Sequence, residues 1–176
     1  KIRGNYDEAM EHYTEALEGR RRILGDEHVD TLVSIANMGS LLMSLGRYDE
    51  VMAYYAEAHE GFRRVIGDDH PDTLGSLNII GDLLETQGKY DEAMPYFAKA
   101  IASSRRVLGD EHPFTLSNIE DMGDLLKKRG KYDEAMPYYT SVLEGRRRIL
   151  GDKHPDTLAS INNMGLLLEE QGKYDE

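Results

Sequence analysis

Two residue types that could do chemistry recur in this 176-residue sequence at a constant interval. Histidine closes a Gly-Asp-x-His motif every 42 residues, from His28 to His154, and a pair of arginines precedes each motif. Regularly spaced histidines could bind metal ions, and regularly spaced arginines could bind a track of phosphate groups. Asp-Glu pairs recur as well, and carboxylates can act as general acids or bases. The chemistry that is available depends on the elements that carry these residues.

A repeat organises the whole chain. The tripeptide Tyr-Asp-Glu begins at residues 6, 48, 90, 132 and 174, and a fixed period of this length is typical of a repeat array. The complete units are predicted at 6–47, 48–89, 90–131 and 132–173, with truncated repeats at both ends. A pair of short helices cannot bury its apolar face alone, so stacked units must share one continuous core. We therefore predict a single domain over residues 1–176.

Each unit contains two amphipathic segments. In the last unit, Leu158, Ile161 and Leu168 have the spacing of one helix face, and Gly172 follows where the helix should end; we call this helix A. Residues 132–150 have the same period, with acidic residues in the first turn and arginines in the last; we call this helix B. The predicted order is B (6–24), A (31–45), B (48–66), A (73–87), B (90–108), A (115–129), B (132–150), A (157–171).

The segments between these helices add two expectations. Residues 1–5 match the end of a further helix A, with Gly4 aligned with Gly172. In the loop before the last helix A, Pro155 suits a first helical position, and the residue that caps the helix is either His154 or a neighbour. Glycine also occupies the centre of every helix A, at a cost of ~1 kcal/mol relative to alanine. We expect close approach of the next helix B to offset that cost, opposite Ala9, Ala93, Ala135 or the larger Val51.

The helices change how the recurring residues are interpreted. Helices pack about 8–10 Å apart, and equivalent histidines are two helices apart, so they cannot share one metal ion. Arginines that end a helix favour its dipole and can pair with acidic neighbours, and Asp-Glu pairs suit helix starts. The sequence contains no Ser-His-Asp spacing, phosphate loop or nucleotide motif. We predict that the chain is not an enzyme and uses no metal or cofactor.

Charge and composition exclude other classes of partner. The formal net charge of −12 disfavours nucleic acid and anionic membrane surfaces. The sequence has no cysteine, which rules out a disulfide framework and is compatible with a reducing compartment. No apolar run approaches the ~18 residues of a membrane span, and no signal peptide opens the chain. We expect a cytoplasmic protein with no nucleic-acid or membrane partner.

The unit resembles the tetratricopeptide repeat. The resemblance covers the whole chain, and in the last unit it is carried by Asn162, Asn163, Met164, Gly165 and Leu168 and by the run 172–176. The 42-residue period, the long helix B and the His-Pro-Asp-Thr loop are similar to the repeats of kinesin light chains. One departure is that the aromatic residue expected early in helix A is aliphatic: Ile35, Leu77, Ile119, Ile161. The resemblance implies an all-α, right-handed superhelix of eight helices in antiparallel pairs, with the A helices lining a concave groove that binds a peptide or protein.

The resemblance also places groove residues on the A helices. Those positions vary between units, whereas the framework stays constant. Asparagine amides can bind an extended peptide backbone through both donor and acceptor, so Asn37, Asn78, Asn162 and Asn163 are the first candidates. The predicted groove residues are Asn37, Ser40, Asn78, Asp82, Glu85, Glu120, Asp121, Asp124, Lys127, Asn162, Asn163 and Glu169.

The charges at these positions predict the kind of partner. A carboxylate clamp for an acidic C-terminal peptide needs Lys or Arg in the groove, and Lys127, beside Lys128, is the only basic position. A basic or neutral peptide is therefore favoured over an acidic one. The alternative function is a structural or self-assembling array, of natural or engineered origin, with no dedicated ligand. The strong likeness between units would suit that alternative.

The two ends predict self-association. The first helix B has no partner helix A, and the last helix A is followed by only the start of a helix B, Tyr174-Asp175-Glu176. Each end therefore leaves an apolar face of the same repeat interface uncovered, and no polar capping helix covers it. Copies of the chain are expected to associate head to tail through these two faces.

Overall fold

The computed structural model describes residues 2–172, and side chains from Asn5 onward. Eight α-helices account for most of these residues. They are α1 (Ile2–Leu24), α2 (Val29–Ser44), α3 (Tyr48–Ile66), α4 (Pro71–Thr86), α5 (Tyr90–Leu108), α6 (Pro113–Lys128), α7 (Tyr132–Leu150) and α8 (Pro155–Glu170). The predicted all-α class is confirmed. Odd-numbered helices are the predicted B helices, and even-numbered helices are the predicted A helices.

The A helices begin two residues earlier than predicted because histidine is the N-cap of each. The backbone of His154 is extended, and its Nδ1 accepts a hydrogen bond from the backbone N–H of Asp156 at 3.2 Å. His28, His70 and His112 make the same bond in their own units. A side-chain acceptor at this position satisfies one of the backbone donors that a helix start leaves unpaired. The recurring histidine is thus a structural residue, and Pro155 occupies the first turn as predicted.

The prediction for residues 1–5 is wrong over the part that the structure describes. Helix α1 begins at Ile2 and runs through Gly4 without a break, whereas Gly172 has the positive φ of +79° that ends a helix A. Too few residues precede Gly4 in this sequence to form the hydrogen-bonded turns of a helix A. Continuation of α1 satisfies their backbone groups instead. The predicted helix start at 174–176 lies outside the described residues.

The helices form two compact units, Lys1–Gln87 and Gly88–Glu176. Within each unit, every helix packs in antiparallel fashion on the next helix along the chain. In unit 1 the core is formed by Leu17 of α1, Leu32 and Ile35 of α2, and Ala58 and Phe62 of α3. In unit 2 the largest fully buried side chains are Phe97, Ile119, Leu125, Tyr139 and Leu167. The prediction of one continuous domain concerns the relation between the units and stays a prediction.

Gly39 and Gly123, at the centres of two A helices, face aromatic rings, not the small residues that we expected. A Cβ added to Gly39 would lie 2.7 Å from Cε1 of Tyr55, and one added to Gly123 would lie 3.3 Å from Cε2 of Tyr139. The missing side chain therefore makes room for a tyrosine of the next helix B. A second glycine, on helix B, makes room for a leucine of the preceding helix A. A Cβ on Gly61 would overlap with Cδ2 of Leu32.

Candidate binding groove

None of the twelve predicted groove residues lies in the core. Asn37, Ser40, Asp82, Asn162 and Glu169 are exposed, and the other seven are half-buried. Their immediate neighbours on the A helices, such as Ile35, Met38 and Leu125, are buried. The alternation follows from the helical period, because one face of each helix A packs on its neighbours while these positions face away. We call this surface of the A helices the groove face.

In unit 2, an ion pair links α6 to α7 at the groove face. The two guanidinium nitrogens of Arg146 donate to the two carboxylate oxygens of Glu120, at 3.0 and 2.6 Å. Both side chains are largely removed from solvent, at 15% and 16% exposure. A bidentate ion pair that is largely removed from solvent fixes the relative orientation of its two helices. If the pair broke, each charge would stay partly buried without a partner, which carries a large desolvation penalty.

Helix α8 joins the same network. Arg146 also donates to Oγ of Ser160 at 2.7 Å, and the amide of Asn163 donates to Glu120 at 2.9 Å. Glu120 and Asn163 were both predicted as groove residues, and the structure brings them together from successive A helices. We call Glu120, Arg146, Ser160 and Asn163 the unit 2 network. It ties three successive helices together at the groove face.

A second polar contact lies one turn further along α6. The hydroxyl of Tyr139 donates to Oδ1 of Asp124. Burial of the phenol, together with this hydrogen bond to a carboxylate, raises the pKa of Tyr139 above its ordinary value. Nζ of Lys127, the one basic residue among the twelve predicted, lies 3.8 Å from Oε1 of Glu170 on α8. Much of the polar surface predicted for ligand binding in unit 2 is therefore already engaged within the chain.

Unit 1 has a different groove face. Ala36, which occupies the position of Glu120, packs against the apolar cluster that contains Phe62, which occupies the position of Arg146. Ser40 and the hydroxyl of Tyr55 are 3.1 Å apart, where unit 2 has Asp124 and Tyr139. Asn37 of α2 and Ile79 of α4, which occupy equivalent positions, are exposed. This face is mainly neutral, and its carboxylates come from Asp82 and Glu85 of α4, each of which has a partner of its own.

The sequence prediction missed the groove residues that helix B contributes. Arg146 stands next to Arg147 and Arg148, and sequence alone groups the three together. The structure separates them, because Arg147 pairs with Asp152 at 3.1 Å and Arg148 with Glu111 at 2.6 Å on the exposed surface. A signal was present in the repeat. Residues 20, 62, 104 and 146 are Arg, Phe, Ser and Arg, while the two residues after each are Arg-Arg in all four units.

The recurring arginines and histidines have structural partners. Arg21, Arg105 and Arg147 each pair with the aspartate of the following Gly-Asp, at 3.0–3.1 Å. This confirms the prediction that the arginines pair with acidic neighbours. No three His, Asp or Glu side chains among the described residues lie close enough together to hold a metal ion.

Helical hairpins that repeat every 42 residues and present a variable polar face define a class of repeat protein. The sequence matches the tetratricopeptide repeat family over residues 2–50, 32–106, 75–147 and 115–176. The chain therefore belongs to the tetratricopeptide repeat family. No curated protein matches the sequence.

Solved structures share the fold at low sequence identity. The TPR-like repeats of a Podosopora anserina protein assigned as a kinesin light chain are 21% identical; the match covers 98% of this chain and 81% of that chain, with a TM-score of 0.85. BtubC (BKLC) from P. vanneervenii is 18% identical over 94% of this chain and 66% of that chain, with a TM-score of 0.78. A Rap protein complexed with competence and sporulation factor is 14% identical over 99% and 46%, with a TM-score of 0.72.

The solved structures establish the fold, and the family match gives the general role of the domain. The chain is an array of tetratricopeptide repeats that structurally resembles those of kinesin light chains. Domains of this family generally act as scaffolds for protein interaction, and the fold is typically non-catalytic. No helix within residues 2–172 combines the length and the apolar character that crossing a membrane requires.

Proposed function

We propose that this chain binds a peptide or an extended segment of a protein partner along the groove face of its A helices. The observation that carries the proposal is the unit 2 network. Three successive helices place connected polar groups there, and the positions of Glu120, Arg146 and Asn163 differ between repeats. A purely structural array has no need of such a variable polar surface, because the constant framework residues already form the repeat contacts.

The groove face combines fixed polar groups with apolar ones. Asn162 is exposed beside the network, and the exposed side chain of Leu166 lies one turn further along α8. In unit 1, Asn37 and Ile79 are a similar combination. An amide can bond to a peptide backbone while an adjacent aliphatic group covers a side chain of the ligand. This combination favours recognition of an extended segment. A surface that bound no ligand would carry only scattered, solvated charges.

The ligand is neutral or weakly basic. Glu120 and Asp124 are already paired with Arg146 and Tyr139, so they attract a cationic ligand less than their sequence positions suggest. Even so, carboxylates outnumber cations at the groove positions, and an acidic ligand would have to approach Asp121 and Glu169 in unit 2. The cost of like charges in close contact therefore still acts against acidic peptides.

Peptide titration tests the proposal. A sequence selected from a peptide array is synthesised in a neutral, a lysine-substituted and a glutamate-substituted form, and each is titrated by calorimetry at low salt. We expect Asn37→Ala and Asn162→Ala each to weaken binding of the selected peptide roughly 3- to 10-fold, the loss of one to two hydrogen bonds.

The matched control is Thr14→Ala, a neutral change at an exposed position of α1, a B helix. Its affinity should equal that of the wild type. Tighter binding of the glutamate form would contradict the predicted charge preference. Equal losses in all three variants, or no selected peptide at all, would contradict binding at the groove face and favour the structural alternative.

A further inference from the structure

The space between successive B helices differs in the two units. In unit 1 an ion pair links α1 to α3, because Nη2 of Arg21 donates to Oε1 of Glu57 at 2.6 Å. Nε of the same guanidinium pairs with Oδ1 of Asp26 at 3.0 Å. One arginine therefore holds two carboxylates, and the second of them is a glutamate that reaches it from the next helix B.

Unit 2 keeps the arginine but lacks the glutamate. Arg105 occupies the position of Arg21, and Ser141 occupies that of Glu57. Nε of Arg105 pairs with Oδ1 of Asp110 at 3.0 Å, as in unit 1. Among residues 2–172, Asp110 is the only carboxylate that pairs with Arg105. Because serine is too short to replace the glutamate, the second carboxylate position at Arg105 is open to an external ligand.

A cavity of about 300 Å³ lies at this place in unit 2. Its lining comes from α5, α6 and α7: Arg105, Ile119, Pro137, Tyr138 and Ser141. Ile119 is only 1% exposed and forms the floor, whereas Arg105 and Pro137 are exposed at the rim. The cavity thus combines a cation and a hydroxyl group with an apolar floor, which suits a ligand that has both an acidic and an apolar part. We call it the unit 2 cleft.

We propose that the unit 2 cleft binds a carboxylate on an apolar stem, supplied by a free organic acid or by an acidic side chain of a protein. The guanidinium of Arg105 would bind the carboxylate as Arg21 binds Glu57, and Ile119 and Tyr138 would cover the stem. This site lies between B helices, whereas the peptide site proposed above lies on the groove face of the A helices. The two proposals are therefore independent.

The charge of the chain limits the affinity of this site. The formal net charge of −12 repels an anion at long range, but salt screens that repulsion over about 10 Å at 0.1 M. At short range, Arg21 shows that one guanidinium of this repeat accommodates two carboxylates. Exposed ion pairs contribute little by themselves, so the apolar stem must supply most of the affinity. Acetate, which has almost no stem, should bind far more weakly than a longer acid.

Titration with two probes, followed by NMR of the ¹⁵N-labelled chain, tests the proposal. 3-Phenylpropanoate represents a free acid, and an acetylated, amidated Phe-Glu-Phe tripeptide represents an acidic side chain. At least one probe should bind with a Kd of about 1–10 mM, with the largest shifts at the amides of the cleft. The neutral counterparts, 3-phenylpropanamide and Phe-Gln-Phe, should bind about threefold or more weakly. The probe that binds more tightly identifies the source of the carboxylate.

Exchanging the residues of the two units gives the sharpest test. Ser141→Glu supplies the glutamate that unit 1 has, so it should occupy Arg105 and weaken probe binding about tenfold or more. Thr14→Glu adds the same charge at an exposed position of α1 and should leave binding unchanged. Glu57→Ser makes the reverse exchange and should create a second set of shifts around Arg21.

A further variant removes the cation without filling the cleft. Arg105→Gln should lower the affinity for the acid to that of the neutral counterpart, and circular dichroism should report unchanged helix content because Arg105 is exposed.

Three results would overturn the proposal. Neither probe shifts the cleft amides in a saturable way, or the neutral counterparts bind as tightly as the acids, or Ser141→Glu weakens binding no more than Thr14→Glu does. None of these results would affect the binding of a peptide at the groove face, which Asn37→Ala and Asn162→Ala test separately.

Discussion

The α2–α3 pair of unit 1 and the α6–α7 pair of unit 2 are built on the same framework but differ at the groove face. Both pairs have a histidine N-cap, a central glycine against a tyrosine, and a glycine on helix B against a leucine. Between these constant contacts, unit 1 places Ala36 against an apolar cluster containing Phe62, and unit 2 places the ion pair of Glu120 and Arg146.

This difference shows that the backbone of the repeat accommodates either an apolar pair or an ion pair at the same repeat position. What matters is that both members of the pair match, because a carboxylate opposite Phe62, or an arginine opposite Ala36, would be a buried charge without a partner. A ligand surface can therefore be changed in a repeat only by paired changes. The predictions below test whether the stability of the constant framework depends on this pair.

The largest effect is expected from Glu120→Ala. It leaves Arg146 half-buried without its carboxylate, and we expect a loss of about 2–4 kcal/mol in the free energy of unfolding. The double variant Glu120→Ala with Arg146→Phe copies the apolar pair of unit 1 into unit 2, and it should recover most of that loss. Urea denaturation measures both. A Glu120→Ala variant within about 0.5 kcal/mol of the wild type would show that the ion pair does not hold the helices together.

The central glycines should respond in order of the space around them. Gly39→Ala brings a methyl group within 2.7 Å of the Tyr55 ring and should cost about 1–3 kcal/mol. Gly123→Ala, at 3.3 Å from Tyr139, should cost less, because the neighbour has to move by only a few tenths of an ångström. Gly165→Ala is the control, since nothing lies within 4 Å, and the higher helix propensity of alanine should stabilise the chain by up to about 1 kcal/mol.

Thermal denaturation of the three glycine variants would establish the order. If Gly39→Ala and Gly165→Ala changed stability equally, helix propensity alone would explain the result, and the close approach of the tyrosine would have no energetic role.

Tyr139 should make a contribution to stability that depends on pH. Tyr139→Phe removes the hydrogen bond to Asp124, and Tyr55→Phe removes the one to Ser40; each should cost about 1 kcal/mol at neutral pH. Burial of the phenol and the hydrogen bond to Asp124 raise the pKa of Tyr139, so the folded state favours the neutral phenol. The contribution of Tyr139 is fully present below its ordinary pKa of about 10 and is lost as pH rises above that value.

Stability measured at pH values on both sides of 10 tests this dependence. The gap in the free energy of unfolding between wild type and Tyr139→Phe should narrow and then reverse at alkaline pH. A constant gap for Tyr139→Phe would mean that the buried phenol ionises as easily as an exposed one.

The smallest effects should come from the caps, and they should be alike in both units. His28→Ala and His112→Ala each remove one exposed hydrogen bond to a helix start and should cost roughly 0.5–1 kcal/mol. Gly123→Leu, which overpacks the contact between α6 and α7, should cost more than His112→Ala. Denaturant melts decide the order. A larger loss for the cap would place the stability of the repeat in its loops and not in its helix contacts.

The repeat and its helices were open to prediction from the sequence alone. The period of apolar residues follows from the geometry of the α-helix, and it located the B helices 48–66, 90–108 and 132–150 as the structure has them. The groove positions on the A helices came from the resemblance to the tetratricopeptide repeat. The structure leaves all twelve outside the core, and their role in binding stays a prediction. Because the pattern occurs in four repeats, each of these signals is visible several times in one chain.

Only the tertiary structure decided which residues are partners. The position of Arg146 varies between repeats whereas that of Arg147 does not, but the engagement of Arg146 with Glu120, Ser160 and Asn163 depends on the distance between three separate helices. The same holds for Gly39. Helix propensity predicts the cost of a glycine at this position, but only the structure shows that the ring of Tyr55 occupies the space of the missing side chain. Local sequence determines which way a side chain points from its own helix, whereas packing against other helices determines what it meets there.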